Sequence, residues 1–383
     1  MLAITIESIS QTLSSWVWSP ALVVLCLCSA LYFSIRTRFV QVRRFGEMAK
    51  LLFYTDKTQK TGIPSFQAFA NSVHVAPVYV GVAVAGVLGL VIIGGVTRIA
   101  KVAQIVAPFM ALLYIILAIV VLICNYSVIP SVLSDMLKGA VGTHEIFGGI
   151  IGSTIAWGVK RGIYSNEAGQ GTGPIVAGAA KVSHPVKQGL VQAFSVYVDT
   201  LLVCTATAVM IMAVKTYNVM DANTGEVLFA SSYNLGAPDV SYTATAIGTL
   251  LGADLGNIIV AVALAFFAFT TIMAYYYYAE TSLVYLFGNG RKEHAAIWVL
   301  RICILVAVIF GSVKEARVAW NVGDIDVGAM AWINIIVILL LSPQALRTLK
   351  DYERQQKEGR EPEFNPRKLD IRNADFWDDS TKD

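Results

Sequence analysis

Long uncharged runs of apolar residues alternate with short polar segments along this chain. A helix needs about 20 mostly apolar residues to cross the hydrocarbon core of a bilayer. Continuous runs of that size lie at residues 15–35, 75–95, 103–124, 255–279 and 327–346. Runs of similar size that charged residues interrupt lie at residues 146–180, 188–214 and 295–313. The pattern therefore predicts an all-α integral membrane protein with about eight transmembrane spans.

Composition supports a membrane protein and predicts a polar C-terminal tail. Hydrophobic residues make up 56% of the 383 residues, charged residues make up 14%, and the mean hydropathy is +0.63. A soluble domain carries about 25% charged residues. Residues 347–383 hold 9 Lys or Arg and 10 Asp or Glu, so the preceding chain is even more apolar than the average. We expect a transmembrane domain over residues 1–346 and a charged tail over residues 347–383.

The distribution of Lys and Arg predicts the orientation, because these residues accumulate on the cytoplasmic side of a membrane. The loops at 181–189 and 287–294 are basic and fall on the same side as the tail. The acidic connection at 215–256 falls on the other side. We therefore expect a multi-pass protein of the cell (inner) membrane with a cytoplasmic C-terminus.

The same rule fails near the N-terminus. Residues 36–60 carry seven Lys or Arg against Glu47 and Asp56, so this segment should also be cytoplasmic. Only the run at 75–95 separates it from Arg98, which the count from the tail places inside. Two cytoplasmic loops need an even number of crossings between them. Either 75–95 is not a simple span, or an odd number of helices is missing here.

The run at 146–180 has a polar centre that is rich in glycine. Its halves are each about half as long as a membrane helix, and Lys160, Arg161 and Glu167 lie between them. Irregular backbone at membrane depth is tolerated where it lines a cavity or is buried in protein. Transporters use such broken helices to bind small ionic substrates. The alternative is an external loop that joins two short helices, with these charges in water.

The centre of this run resembles the signature of the alanine/glycine:cation symporter family, also called sodium:alanine symporters. The signature reads Arg161-Gly162-Ile163-Tyr164-Ser165-Asn166-Glu167-Ala168-Gly169, followed by Gly171 and Pro174. Further segments resemble the family in the family's order, at residues 65–68, 94–99, 198–200 and 267–272. The resemblance covers nearly the whole chain except the tail.

The resemblance implies a leucine-transporter type bundle of two inverted five-helix repeats. On that template, residues 15–35 form a peripheral helix, 75–124 are what remains of an incomplete first repeat, and 146–346 form the second repeat. The family segment at 65–68 should continue into the first broken helix. Here it continues into Asn71-Ser72-Val73, which resembles a family segment some three helices further along. The charge count indicates that an odd number of helices is missing near residue 70. The resemblance implies an internal deletion of three helices there, because three restores both five-helix repeats.

The resemblance also implies the substrate site. The unwound centre of the run at 146–180 should contact the transported amino acid through Ser165, Asn166, Gly169 and Gly171. Free backbone groups and small polar side chains can replace the hydration shell of a zwitterion, which supports a substrate site at this position. The alternative is that Ser165 and Asn166 only cap the half-helices.

Other polar residues within the spans are further candidates. In the related fold, hydroxyl groups at the helix of residues 255–284 help to bind sodium, which implies that role for Thr270 and Thr271. Thr in an apolar helix also bonds back to its own helix, which is the alternative. Asp199 lies within an apolar run and is either functional or a structural hydrogen-bonding group. Glu167 is a further candidate, and its alternative role is to pair with Arg161 or Lys160.

The resemblance implies sodium-coupled symport of a small neutral amino acid, alanine or glycine. Sodium is then the coupling ion, the bilayer is the environment, and we expect neither another cofactor nor a nucleic-acid partner. An intramembrane enzyme is disfavoured, because the sequence has no His-Glu-x-x-His, no Gly-x-Ser-x-Gly and no paired intramembrane aspartates. The expected deletion removes half of the substrate site, so impaired transport is predicted. The alternative is a truncated membrane protein that is inactive in transport.

Overall fold

A computed structural model of the protein describes most of the chain. The described residues are 2–53, 77–93, 99, 102, 112, 114–140, 151–180, 182–220, 227–233, 235–236, 239–288, 290–313, 316–374 and 377. The family-like segment at 65–68, most of the one at 94–99, and the junction near residue 70 lie outside these residues.

The described chain is almost entirely helical, which confirms the predicted class. The helices are Leu2–Val17 (α1), Pro20–Arg36 (α2), Val40–Arg43 (α3), Phe45–Phe53 (α4), Pro77–Ile92 (α5), Tyr114–Cys124 (α6), Ile129–Ala140 (α7), Ile151–Asn166 (α8), Thr172–Ala177 (α9), Pro185–Tyr197 (α10), Thr205–Val214 (α11), Ser241–Leu251 (α12), Ala253–Phe287 (α13), Arg291–Val313 (α14) and Ala316–Lys357 (α15). A π-helical segment, Val198–Cys204, joins α10 to α11. Two 3₁₀ turns lie at Tyr126–Val128 and Arg367–Leu369.

Five helical stretches among the described residues are long and apolar enough to cross a membrane. They are Ile9–Arg36, Pro185–Val214, Ala253–Phe287, Arg291–Ser312 and Trp320–Lys357. A sixth would be the pair Tyr114–Cys124 and Tyr126–Ala140, which bends by 77°. The expected eight spans are not reached in the described chain. The run at 146–180 is divided between α8 and α9, and the described apolar part of α5, Val82–Ile92, is short.

The chain divides into two compact units, and the first comprises residues 1–57, 158–199 and 320–383. Its apolar core brings Leu22 of α2 and Ile163 of α8 against Val327, Ala331 and Ile335 of α15. The side chains that form this core lie on one face of each helix, as expected for helices that pack together.

A second core in the same unit joins the amphipathic helix α4 to α10 and to the end of α15. Met48, Leu190 and Tyr352 are almost fully buried there. The Tyr352 hydroxyl donates to Glu47 at 2.6 Å, and the Gln356 amide donates to the same carboxylate oxygen at 2.6 Å. The first part of the charged tail is therefore packed against the unit, and α15 extends eleven residues past the predicted end of its apolar run to Lys357.

The tail also folds back on the loop before α10. The Phe364 amide donates to the Ser183 carbonyl at 3.0 Å, and the Ser183 hydroxyl donates to the Pro362 carbonyl at 2.9 Å. The His184 ring is fully buried between the rings of Tyr352 and Phe364. These contacts fix residues 361–364 as part of the first unit.

The second unit comprises residues 58–157 and 200–319. One core packs α5 against α13 and α14 around Leu88, Ile92, Met273 and Tyr276. Another packs α6, α11, α12 and α13 around Val121, Met210, Ile247 and Val260. The first core is formed by residues from apolar runs, whereas the second also includes Ile247 of α12, which lies in the 215–256 connection.

Arg301, the charged residue within the run at 295–313, has a partner in this unit. The Arg301 side chain donates to the Tyr276 hydroxyl at 3.0 Å and lies 3.8 Å from a carboxylate oxygen of Glu280. Both charged side chains are mostly buried, at 15% and 13% exposure. A charge in a membrane-spanning helix is stabilised by this kind of pairing, which explains how Arg301 is accommodated in α14.

The polar connection at 215–256 is more ordered than a loop. It contains a small antiparallel β-ribbon, formed by Val219–Met220 (β1) and Val227–Phe229 (β2), and then helix α12. Asn218 holds the connection together, because its amide donates to the Leu235 carbonyl at 2.6 Å and accepts from the Ser231 amide at 2.8 Å. Helix α12 packs along α13 within the second unit.

Candidate functional site

The broken helix of the first unit is interrupted between Asn166 and Thr172. Three residues in this break have positive φ angles: 50° at Glu167, 92° at Gly169 and 91° at Gly171. Such angles are readily adopted by glycine and end a right-handed helix. The break therefore lies where the glycine pattern predicts it, although Ser165 and Asn166 still belong to the last turn of α8.

A buried glutamine replaces the hydrogen bonds that the break removes. The Gln170 side chain is only 3% exposed, and its amide nitrogen donates to the Ile163 carbonyl at 2.7 Å. The last carbonyl groups of a helix have no partner within that helix and need one when they are buried. Gln170 thus stabilises the end of α8 from within the break, and sequence analysis did not single it out.

Ser165 and Asp199 form the central polar contact of the site. The Ser165 hydroxyl donates to a carboxylate oxygen of Asp199 at 2.5 Å. Asp199 lies in the first turn of the π-helical segment, a conformation that occurs frequently at functional sites. Asp199 is half-buried and Ser165 is exposed, so the pair is accessible from outside the protein interior. The structure thus brings together two residues that the sequence suggested separately.

Asn166 makes a local contact in addition to its position beside Ser165. Its amide nitrogen donates to the Gly162 carbonyl, one turn earlier in α8, at 3.1 Å. This is the side-chain-to-backbone contact that the capping alternative requires. The amide nitrogen of Asn166 is therefore already engaged in stabilising the end of the helix.

The break packs closely against α15. A Cβ atom on Gly171 would lie 3.2 Å from the Asn334 amide oxygen, and one on Gly169 would lie 3.6 Å from the Ile335 side chain. Asn334 is half-buried in a strongly apolar stretch of α15. Polar residues within membrane spans are costly and often functional. Asn334 is therefore a further candidate residue, and the signal in the sequence is its isolated amide within the run at 327–346.

Lys160 and Arg161, the two basic residues before the break, form ion pairs with a residue of α15. The Lys160 ammonium lies 2.7 Å from a carboxylate oxygen of Asp324, and Arg161 lies 3.5 Å from the other oxygen. Asp324 is buried at 6% exposure, and its backbone carbonyl accepts from the Trp18 indole at 2.8 Å. The ion pairs hold α8 against α15 and thereby orient the break. Sequence analysis did not select Asp324, which lies just before the run at 327–346.

Glu167 bridges the break. Its carboxylate accepts from the Thr172 hydroxyl at 2.9 Å, and Thr172 is buried at 3% exposure. Sequence analysis gave a pair with Arg161 or Lys160 as the alternative role of Glu167, and in the structure Asp324 contacts both of those cations. The contact with Thr172 ties the residue after α8 to the first residue of α9.

Thr270 and Thr271 lie in the second unit, in the middle of α13. They are buried at 2% and 1% exposure. The Thr270 hydroxyl donates to the carbonyls of Phe266 and Phe267, both at 3.0 Å. This is the local bonding that sequence analysis gave as the alternative to a sodium site. Among the described residues, no group of three or more His, Cys, Asp or Glu is arranged to hold a metal ion.

Comparison with known proteins identifies the family. The model of the Sodium:alanine symporter family matches the chain in two stretches, residues 3–76 and 70–366, which overlap at residues 70–76. The overlap lies where the charge count and the change of family segment place the junction. Together the two stretches account for most of the chain.

Several relatives are carrier proteins by name. The sodium/proton-dependent alanine carrier protein of Bacillus sp. (strain PS3) is 49% identical over 315 residues, which are 82% of this chain and 70% of that protein. The putative sodium/proton-dependent alanine carrier protein YrbD of Bacillus subtilis (strain 168) is 50% identical over 308 residues, 80% of this chain and 63% of that protein. The sodium/alanine symporter AgcS of Methanococcus maripaludis is 34% identical over 292 residues, 76% of this chain and 60% of that protein.

The chain thus spans between 60% and 70% of the length of these three relatives. It carries the family's signature at a helix that is broken in the structure, and the family model matches it from near its N-terminus to residue 366. This chain belongs to the sodium:alanine symporter family.

Proposed function

We propose that the protein is built for sodium-coupled symport of alanine or glycine across the cytoplasmic membrane. Its family and the names of its relatives support sodium as the coupling ion and alanine as the substrate. The alternative, a truncated protein that is inactive in transport, is less favoured because these relatives are carriers or symporters by name. Nothing in the family points to an enzyme.

The observation that carries this proposal is the contact between Ser165 and Asp199 beside the broken helix. An amino-acid zwitterion that leaves water needs an anionic group for its ammonium and polar donors for its carboxylate. Asp199 supplies the anionic group, and the Ser165 hydroxyl orients the Asp199 carboxylate. Gly169 and Gly171 keep the backbone of the break free of side chains, and the Asn334 amide beside Gly171 supplies a further polar group.

The wider architecture is part of the proposal. We place the broken helix in the second of two inverted five-helix repeats of the leucine-transporter type, in a bundle of about eight spans. Thr270 and Thr271 then contribute hydroxyl oxygens to a sodium site, and the basic tail lies in the cytoplasm. Both threonines are buried in the middle of α13, and a hydroxyl that donates to a helix carbonyl still has oxygen lone pairs that can face a cation.

The junction near residue 70 affects the expected activity. Two overlapping family matches, at residues 3–76 and 70–366, support an internal deletion at that place. The missing helices would carry the other wall of the substrate site and the carbonyl groups that face Thr270 and Thr271. A cation that has protein ligands on one side alone loses more hydration free energy than those ligands replace. We therefore expect sodium coupling that is weaker than in relatives of full length.

Transport by purified protein in liposomes tests the proposal. We expect uptake of labelled alanine that depends on an inward sodium gradient and that Asp199→Asn reduces, because the variant removes the negative charge of the site. Liposomes that contain the YrbD relative give the reference rate, and empty liposomes give the background. Uptake at the level of empty liposomes would support the transport-inactive alternative. Uptake at the rate of the relative would contradict the expected weakening of sodium coupling.

A further inference from the structure

A basic groove lies in the first unit where two apolar helices end. It has a volume of about 660 Å³ and is enclosed by the end of α2, the turn into α3 and the last part of α15. Its apolar lining includes Ile35, Leu346 and Leu349, and most of its other lining residues are charged. A hydrogen bond of 3.2 Å between the hydroxyls of Tyr32 and Ser342 joins the two helices one turn before the groove.

The groove has an excess of positive charge, with six basic residues against two acidic ones. Internal ion pairs account for two of the basic residues. Arg43 lies 2.6 Å from Glu353, and Arg354 pairs with Asp351 and lies 3.9 Å from Glu358. The acidic side chains of the groove are therefore already engaged.

The remaining four cations of the groove are exposed and have no ion-pair partner among the described residues. They are Arg36, Arg38, Lys350 and Lys357. Arg36 lies over the Tyr32 ring at 5.9 Å, a contact that leaves its charge in place. Four like charges around one cavity repel each other, and an anion in the cavity would remove that repulsion.

Apolar surface adjoins these cations. Ile35 is 58% exposed at the groove, and Phe39 and Val42 are 52% and 67% exposed beside it. Arg38 and Phe39 both have left-handed backbone angles, with φ of 54° and 52°. This conformation is uncommon outside glycine and turns the chain sharply at the end of α2. The turn brings a cationic cavity and exposed apolar side chains together at the end of two membrane-spanning helices.

We propose that this groove binds the phosphate headgroup of an anionic phospholipid of the surrounding bilayer. The four cations contact the phosphate and glycerol oxygens, and the acyl chains cover Ile35, Phe39 and Val42. Charge complementarity and the position at the ends of two apolar helices select a lipid over a soluble ligand. Basic pockets at helix ends are a known mode of recognising anionic headgroups. The bound lipid would link α2 and α3 to α15.

The test compares phosphatidylglycerol with phosphatidylcholine on the purified full chain. Native mass spectrometry counts bound lipids, and titration in neutral detergent gives the affinity. We expect phosphatidylglycerol to bind at least about tenfold more tightly than phosphatidylcholine. Inorganic phosphate and glycerol 3-phosphate form a separate arm. Binding of these soluble anions as tight as that of phosphatidylglycerol would show a soluble ligand site and overturn the proposal.

Substitutions locate the lipid on the chain. The triple variant R38Q/K350Q/K357Q should lower the affinity for phosphatidylglycerol about tenfold or more, since each basic residue near the surface contributes to attraction of anionic lipid. The charge-preserving variant R38K/K350R/K357R should retain it. The control R291Q/K292Q/K368Q removes the same charge from exposed residues outside the groove and should leave the affinity unchanged. An equal loss of affinity in R38Q/K350Q/K357Q and in R291Q/K292Q/K368Q would show that net charge alone determines binding, and it would contradict the proposal.

A measurement on the unmodified chain does not depend on how the variants fold. An amine-reactive reagent should label Lys350 and Lys357 more slowly in phosphatidylglycerol nanodiscs than in phosphatidylcholine nanodiscs. Lys292 and Lys368 provide the internal comparison, because they lie outside the groove. Slower labelling of the groove lysines alone supports the site. Equal labelling rates at Lys350 and Lys357 in both lipids overturn it.

Discussion

The pairing of Asp199 explains how a carboxylate is held within an apolar run. An ionised side chain near the bilayer centre costs several kcal/mol unless polar groups surround it. Asp199 accepts a hydrogen bond from Ser165, which lies 34 residues earlier in the chain. Asn166, the next residue, bonds instead to its own helix through Gly162. Neighbouring positions in the signature therefore have different local roles.

This difference leads to a prediction for a transport-competent form of the protein, with the segment near residue 70 restored. Ser165→Ala should weaken alanine affinity about tenfold, because a hydrogen bond to a charged group contributes about 1.5–3 kcal/mol. Asn166→Ala should weaken it less, because its amide nitrogen already bonds to Gly162. Equilibrium binding of labelled alanine in detergent checks both values. Unchanged affinity in Asn166→Ala would assign that residue to helix capping alone.

Gly256 shows how a single glycine permits close packing of α12 on α13 in the second unit. A Cβ atom at this position would lie 2.6 Å from the Ala244 carbonyl oxygen and 2.7 Å from the Gly248 nitrogen. Both are backbone atoms, which cannot move aside as a flexible side chain can. Small residues at helix interfaces allow such close approach in membrane proteins.

Gly256→Ala should therefore destabilise the protein by about 1–3 kcal/mol, the usual cost of overpacking. Thermal unfolding in detergent measures the change. Gly311→Ala is the matched control, because a Cβ atom there has no neighbour within 4 Å. The control should be neutral or slightly stabilising, since alanine favours the helix over glycine. Equal melting temperatures of Gly256→Ala and the unmodified protein would contradict the predicted overpacking between α12 and α13.

At the scale of elements, the tail is attached to the loop before α10 through a buried histidine. His184 begins α10 as its N-cap, because its Nδ1 atom accepts from the Val186 amide at 3.3 Å. Its Nε2 atom lies 3.6 Å from a carboxylate oxygen of Asp351. Burial lowers the pKa of His184 from its ordinary 6.5, and Lys187 lowers it further, while Asp351 opposes both effects. The docked tail thus favours the neutral ring.

The lowered pKa predicts that docking of the tail weakens in mild acid. An exposed His184 takes up a proton as the pH falls below about 6.5, whereas the buried ring resists protonation. The population of the undocked form therefore increases as the pH falls. Above pH 6.5 this contribution to docking is fully present, and it is lost as the pH falls through the lowered pKa. Each unit of lowering corresponds to about a tenfold change in the docking equilibrium.

Hydrogen exchange at the Phe364 amide, which bonds to Ser183, measures docking between pH 7.5 and pH 5. We expect faster opening at the lower pH after correction for the intrinsic rate. His184→Asn is the control, because asparagine can still cap the helix but does not titrate. If this variant shows the same pH dependence as the unmodified chain, a group other than His184 is responsible.

At the scale of the whole molecule, the distribution of Lys and Arg predicts the side on which each loop lies. A cysteine introduced at Ser232, exposed in the 215–256 connection, should react only with a membrane-impermeant reagent added outside the cell. Lys368→Cys, exposed in the tail, should react only from the cytoplasmic side. Both variants need a background without the five native cysteines, four of which are exposed. Labelling of Ser232→Cys from the cytoplasmic face alone would reverse the topology.

The sequence by itself determined the features that depend on local pattern. Hydropathy identified the protein as helical and membrane-embedded, because a span must be apolar along its own length. The glycines at 169 and 171 predicted the break, since positive φ angles are a property of single residues. The signature around Ser165 identified the family. The predicted eight spans exceed the five or six of the described chain, because a run such as 146–180 has the length of a span but is divided by its own glycines.

Only the tertiary structure decided which residues meet. Ser165 with Asp199, Gly171 with Asn334, Lys160 with Asp324 and His184 with Asp351 are contacts between separate helices. No periodicity within one helix encodes such a partner, because the choice depends on how helices pack and on which charges must be neutralised away from water. For the same reason, the groove between α2 and α15 appears in the sequence only as two unrelated basic segments.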